Sequence, residues 1–128
     1  MPKRIPGGEI ELSITEAKRL VLARYGFRVI EEIDLGKWIG ATIEGQALVP
    51  STIAIRAALE PTRKLVVIAH ESGHLIDYGQ NPKEGLLYGN KIKKNEAKAW
   101  VNGRLIAVKF GIYEEYLDYW KIHLDMRR

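Results

Sequence analysis

The spacing of apolar residues along the chain predicts four helices, and the first of them is marked at both ends. An apolar stripe at helical spacing runs from Ile14 to Tyr25. Ser13 and Glu16 stand in the order of a capping box, and Gly26 is the residue type that commonly ends a helix. This stretch is therefore predicted to be a helix that covers a sheet.

The pattern changes between residues 27 and 59, where short β-branched and aromatic runs alternate with Gly, Asp and Pro. Such runs are typical of a small sheet. Gly45 and Gln46 are interpreted as a turn between two strands, and Ile53 and Ile55 are expected to face the core together. The candidate strands are residues 27–33, which could also form a helical turn, 38–44 and 51–59.

The second predicted helix begins near Pro61, ends at about Asp77 or Tyr78, and is apolar on every side between Leu65 and Ala69. A helix of that kind is normally buried at the centre of a domain, so the polar residues within it need partners. A loop is predicted to follow it. The loop and the two later helices are predicted over residues 79–90, 92–110 and 112–124.

Together these elements predict an α+β fold in which a small, mostly antiparallel sheet packs against a helical core, with the second helix at the centre. The small residue Gly103 is expected to let the third helix approach another helix closely. The aromatic residues of the fourth helix recur at helical spacing, which favours a role in the core over a ligand site.

Composition limits the classes of function that this chain can have. Its 128 residues, 46% of them hydrophobic, predict a single domain over residues 1–128, with residues 1–12 as an extended or mobile lead-in. The chain has no cysteine, so any metal must bind nitrogen and oxygen ligands. Neither a signal peptide nor a membrane span is evident, which predicts a cytoplasmic protein. The net charge of +4 is modest, so direct binding of nucleic acid is not expected.

Chemistry is concentrated in the run from His70 to His74. Residues four apart lie on one face of a helix, so His70 and His74 could both bind one zinc ion. Glu71 would then flank the metal, which suits the general base of the H-E-x-x-H arrangement of metalloproteases. The alternative is a pair of satisfied core histidines beside a structural carboxylate.

A catalytic zinc ion usually has three protein ligands, so a third ligand must come from another part of the chain. Glu96 is the strongest choice, because small residues next to it would let the third helix approach the second. It could instead form an exposed salt bridge. Asp77 is better placed as an outer partner or a helix-end group. The remaining candidates are Glu84, Glu114, Glu115, His123 and Asp125.

The run His70-Glu71-Ser72-Gly73-His74, followed by Glu96-Ala97-Lys98-Ala99-Trp100, resembles the ImmA/IrrE family of metallopeptidases. The resemblance covers roughly residues 38–106. It implies that His70, His74 and Glu96 are zinc ligands and that Glu71 is the general base. Members of this family often cleave a helix-turn-helix repressor encoded beside them, frequently on mobile elements, so a separate repressor chain is the implied substrate.

The leading hypothesis is therefore a zinc endopeptidase that acts on a specific protein, and two alternatives belong to other classes. One is a zinc-binding regulatory or interaction module without catalysis. The other is a DNA-associated regulator, which only the basic charge favours. A peptidase also needs a donor to the oxyanion, for which the sequence leaves four candidates open: Tyr78, Tyr88, Arg104 and His123.

Overall fold

The fold was obtained as a computed structural model, which describes residues 10–35, 43–48, 50–80 and 92–126. Helices and a small sheet make up an α+β fold, as the sequence predicts. In chain order the elements are α1 (Ile14–Tyr25), β1 (Arg28–Glu32), β2 (Gly45–Leu48), β3 (Thr52–Arg56), α2 (Pro61–Gln80), α3 (Ile92–Phe110) and α4 (Tyr113–Met126).

Local signals set the ends of α1. The Ser13 hydroxyl accepts a hydrogen bond from the Glu16 backbone N–H at 3.1 Å, and the Glu16 side chain returns to Ser13, which completes the capping box. Gly26 ends the helix with a φ of 75°, a left-handed conformation that glycine adopts without a Cβ penalty. The predicted bounds of this helix are confirmed, and Ala17 and Val21 are buried on its inner face.

The sheet is mixed, so the prediction of a mostly antiparallel sheet is wrong. Its strand order is β1-β3-β2, with β1 parallel to β3 and β2 antiparallel to it. The parallel pair arises because the chain crosses from β1 to β2 before it enters β3 between them. Strand periodicity indicates which residues share a face, but it does not specify the direction of the neighbouring strand.

The interpretation of Gly45 and Gln46 as a turn is also wrong, since both residues begin β2. Glycine is required at position 45 because a Cβ there would lie 2.2 Å from Cγ1 of Val67, so β2 could not rest on α2. Of the predicted strand 38–44, residues 38–42 lie outside the described residues, and residues 43 and 44 precede β2 without forming a strand.

Helix α2 is the centre of the fold, as predicted. It packs against every other helix and against β2 and β3, and its apolar run from Leu65 to Ala69 is buried. It extends through Gln80, so the first two residues of the predicted loop belong to the helix, and the rest of that loop lies outside the described residues. None of the described helices is long and apolar enough to cross a membrane.

Two glycines bring α2 and α3 into backbone contact. A Cβ at Gly73 would lie 2.0 Å from the Ala99 carbonyl oxygen, and a Cβ at Gly103 would lie 2.3 Å from the Ala69 carbonyl oxygen. Asn102 adds a hydrogen bond to the Gly73 carbonyl at 3.3 Å. The close approach predicted for Gly103 is confirmed, and it occurs at the helix that carries both histidines.

Helix α4 closes the core from the other side. Gly111 turns the chain with a φ of 76°, and α4 then runs from Tyr113 to Met126, one residue later at its start than predicted. Tyr116 is fully buried, and its hydroxyl donates a hydrogen bond to the Trp100 carbonyl oxygen at 2.6 Å. The aromatic stripe is therefore a core feature at Tyr116, and it fixes α4 to α3.

Candidate metal centre

The three predicted ligands meet in space. Nε2 of His70 lies 2.9 Å from Glu96 Oε2, and Nε2 of His74 lies 2.9 Å from Glu96 Oε1. One potential ligand atom from each residue falls within 4.8 Å of the other two, so the group could hold a metal ion. The histidines come from one helix by their spacing of four, whereas Glu96 reaches them because α3 packs closely on α2.

The donor types and the separations of Glu96 from the two imidazoles suit a divalent metal ion. Zinc bonds to nitrogen and oxygen are about 2.0–2.2 Å long, which places tetrahedral ligand atoms about 3.3–3.5 Å apart. The separations of 2.9 Å between the Glu96 oxygens and the two imidazole nitrogens need to widen by only a few tenths of an ångström. Two imidazoles and one carboxylate are also a donor set found at catalytic zinc sites.

In the metal-free cluster, burial and the hydrogen bonds between the groups shift the pKa values of Glu96 and His74. Burial alone would raise the pKa of the Glu96 carboxyl, but the hydrogen bonds with His70 and His74 hold it well below its usual range. Burial likewise opposes protonation of His74, but its hydrogen bond with Glu96 and the nearby carboxylates of Glu71 and Asp77 outweigh burial and raise its pKa. A proton on His74 therefore competes with any metal ion.

Glu71 lies beside the cluster with its side chain 8% exposed. Burial raises the pKa of its carboxyl, although the imidazoles of His70 and His74 partly offset that effect. A backbone hydrogen bond from Ala47 of β2 reaches the same carboxyl and lowers its pKa. The edge of the sheet thus helps to orient Glu71, a contribution that the motif alone does not reveal.

Two of the three residues of the cluster, His70 and Glu96, line a cleft of about 560 Å³, as does Glu71. One wall comes from Ile43, Glu44 and Gly45 at the start of β2, and the other comes mainly from Trp100 of α3 and from α4. At one end, Arg63 donates to Glu44 at 2.9 Å through Nε, and its guanidinium lies 3.6 Å from the centroid of the Tyr119 ring. Arg63, two helical turns before His70, thus links Glu44 to Tyr119 across the cleft.

Trp100 packs against His70 of the cluster. Its ring centroid lies 4.1 Å from that of His70, and its indole stacks at 6.2 Å on Trp120. The only sequence signal for this contact is spacing, because Trp100 follows Glu96 by four residues and therefore shares its face of α3. The sequence predicts that Trp100 is buried, but it does not indicate that the ring packs against a histidine of α2.

The other candidates for the third ligand do not join the cluster. Asp77 is buried on α2, where its Oδ1 lies 3.7 Å from Nζ of Lys98, so it ties α2 to α3 as an outer partner. His123 approaches Glu96 at 3.6 Å but lies outside the group of three. Glu114 and Glu115 stand in the first turn of α4. Glu84 and the side chain of Asp125 lie outside the described residues.

The four candidates for the oxyanion donor are also separated by the structure. His123 lines the cleft, whereas Tyr78 and Arg104 do not. Tyr88 lies outside the described residues.

Comparison of the chain with protein-family models, with curated proteins and with solved structures returned no match in any of the three.

Proposed function

We propose that this chain is a zinc-dependent endopeptidase that hydrolyses a specific protein substrate. The observation that carries the proposal is the convergence of His70, His74 and Glu96 beside the buried carboxyl of Glu71, at a cleft that His70, Glu71 and Glu96 line. The resemblance of these residues to the ImmA/IrrE family supports the same function. Zinc is the proposed metal because the donors are two imidazoles and one carboxylate.

His70, His74 and Glu96 would hold the ion. When bound, zinc supplies Lewis-acid chemistry, which polarises a carbonyl group and increases the acidity of water. The packing of His70 against Trp100 and the contact between α2 and α3 keep the three donors in place before any ion arrives. Such support reduces the reorganisation that binding requires.

Glu71 is the proposed general base. Its carboxylate accepts a proton from the attacking water molecule and then donates that proton to the nitrogen of the leaving amine. Burial raises the pKa of this carboxyl, which makes it a stronger base than an exposed glutamate. The backbone of Ala47 hydrogen-bonds to this carboxyl, which also lines the cleft.

Strand β2 supports a peptide as the substrate class, because it is an edge strand of the sheet formed by the described residues and lies next to the cleft. The Arg56 N–H donates to the Glu44 carbonyl at 2.8 Å, so alternation along the antiparallel pair directs the backbone groups of Gly45 away from β3, as it does those of Ala47, whose N–H donates to Glu71. An extended peptide can add to such an edge through main-chain hydrogen bonds. The substrate would then lie across the cluster.

A helix-turn-helix repressor as the substrate and a cytoplasmic location remain predictions from the sequence.

The decisive experiment compares wild type with Glu71→Gln, which preserves the size of the side chain. Both proteins should bind zinc with similar affinity, while cleavage by the variant should fall about 10²–10⁴-fold, the usual contribution of a general base. The assay uses the product of the neighbouring gene as the substrate, and mass spectrometry identifies the cleavage products.

Glu114→Gln is the matched control, because Glu114 is an exposed glutamate on α4. It should cleave as fast as wild type. Equal cleavage by Glu71→Gln and wild type would refute the role of Glu71. If wild type binds zinc and the repressor without cleaving it, the chain is a zinc-binding regulatory module instead.

A further inference from the structure

We propose that His123 of α4 is a catalytic residue that donates a hydrogen bond to the oxyanion during peptide hydrolysis, an inference that rests on the proposed peptidase function. His123 lines the same cleft as His70, Glu71 and Glu96. Its Nε2 lies 3.6 Å from Oε2 of Glu96. His123 therefore lies close enough to the ligand cluster to contact a group that is bound there.

The aromatic packing holds His123 at this distance. Its ring centroid lies 5.7 Å from that of Trp100, against which His70 also packs, and 6.3 Å from that of His70. Trp100 therefore packs against both imidazoles. His123 stands beside the three potential ligand atoms without being one of them. A residue that acts on the substrate rather than on the metal requires this kind of position.

Two tyrosines near the cleft make other contacts. The Tyr119 ring lies beneath the guanidinium of Arg63. Arg63 precedes His70 by seven residues, or about 10 Å along α2. Tyr116 is fully buried, and its hydroxyl donates to the Trp100 carbonyl. Of the candidates that the sequence leaves open, His123 alone is described as lining the cleft.

Hydrolysis of the peptide bond in this cleft needs no reactant other than water. The water oxygen forms a bond to the carbonyl carbon, the π bond of the C=O group breaks, and its electron pair moves to the oxygen. The N–H of His123 donates a hydrogen bond to this oxygen and keeps its proton, which a neutral imidazole can do. Glu71 carries the water proton to the leaving nitrogen. When the C–N bond breaks, the electron pair on the oxygen re-forms the C=O bond.

The test measures binding of an oxyanion probe as well as cleavage. Phenylphosphonate presents a tetrahedral anion, and its affinity for the zinc-loaded protein is measured by isothermal titration calorimetry. His123→Phe preserves a ring against Trp100 but removes the donor, so the affinity for phenylphosphonate should fall about 10- to 100-fold, as expected for a hydrogen bond to a charged group. His123→Gln supplies an amide N–H and should recover part of the loss.

Lys121→Phe is the matched control, since Lys121 is exposed on the same helix, and it should bind the probe as wild type does. Zinc affinity, measured by competition with a chromophoric chelator, should change less than about threefold in His123→Phe. A loss of about 10- to 100-fold or more would show that His123 is an outer partner or a ligand of the metal rather than a donor to the substrate, and would overturn the inference.

Two further results separate this inference from the proposed function. If His123→Phe and His123→Gln both bind phenylphosphonate as tightly as wild type, the inference fails while the peptidase function stands. A wild-type protein that binds no zinc overturns the proposed function and this inference together. Where the repressor is cleaved, His123→Phe should lower kcat about 10²–10³-fold with little change in KM, as for other oxyanion donors.

Discussion

Gly73→Ala tests whether the contact between α2 and α3 creates the metal centre. The added Cβ would lie 2.0 Å from the Ala99 carbonyl oxygen and 2.8 Å from its carbon, whereas real Cβ contacts essentially never fall below 3.0 Å. Because the obstacle is backbone, α3 must retreat from α2 by about 1 Å. Glu96 lies one turn before Ala99 on the same helix and would move with it.

The size of the effect follows from two opposing terms. Overpacking costs about 1–3 kcal/mol, and the better helix propensity of alanine returns about 1 kcal/mol, so the free energy of unfolding should fall by up to about 2 kcal/mol. A metal site tolerates about 0.2 Å of error in its bond lengths, which is much less than the shift of Glu96. Zinc affinity should therefore fall about 10- to 100-fold or more.

Gly79→Ala provides the matched control within α2. A Cβ there meets nothing within 4 Å among the described residues, and the backbone of Gly79 does not have a positive φ. This variant should be as stable as wild type or up to about 1 kcal/mol more stable. Urea denaturation of the metal-free proteins and zinc competition with a chromophoric chelator measure the two effects. Gly73→Ala with the stability of Gly79→Ala and wild-type zinc affinity would refute the reasoning.

Three further predictions follow from the charges. Glu96→Gln removes the shared carboxylate, so zinc affinity in the same competition assay should fall at least about 100-fold; retained affinity would exclude Glu96 as a ligand. Because the pKa of His74 is raised in the metal-free protein, zinc affinity should fall as the pH is lowered through that value, and calorimetry in buffers of different ionisation enthalpy should detect released protons. Hydrogen bonds from Lys18 and Lys64 lower the pKa of Glu31, so its stabilising effect is present above the ordinary value of 4.5 and is lost as the pH falls through the lowered one. Glu31→Gln should therefore cost about 0.5–1 kcal/mol in urea denaturation at neutral pH and nothing in acid; an equal cost at both pH values would contradict the ion-pair origin.

The helices could be predicted because their signals are local. The capping box at Ser13 and the glycines at 26 and 111 act within one or two turns, so the bounds of α1 and α3 agree with the sequence prediction. The sheet could not be predicted in the same way. Whether β1 lies parallel or antiparallel to β3 depends on the path of the chain between them, and residue alternation is the same for both.

The candidate site also has a part that the sequence predicts and a part that depends on packing. The spacing of His70 and His74 follows from helix geometry alone, so the sequence predicts that two imidazoles and the carboxyl of Glu71 belong to one region. Selection of Glu96 from several acidic candidates depended on the approach of α3 to α2. The motif contains Gly73, but its contact with Ala99 is visible only in the packed helices.

Residue spacing and capping signals therefore specify the helices of this protein and the residue types that are available for metal chemistry. Packing of the folded chain brings Glu96 to the two histidines, places the Ala47 backbone beside Glu71, and puts His123 of α4 at the cleft. The two kinds of information differ in their range along the chain. Backbone geometry and capping act over a few residues, whereas the site is assembled by close packing between elements that are distant along the chain.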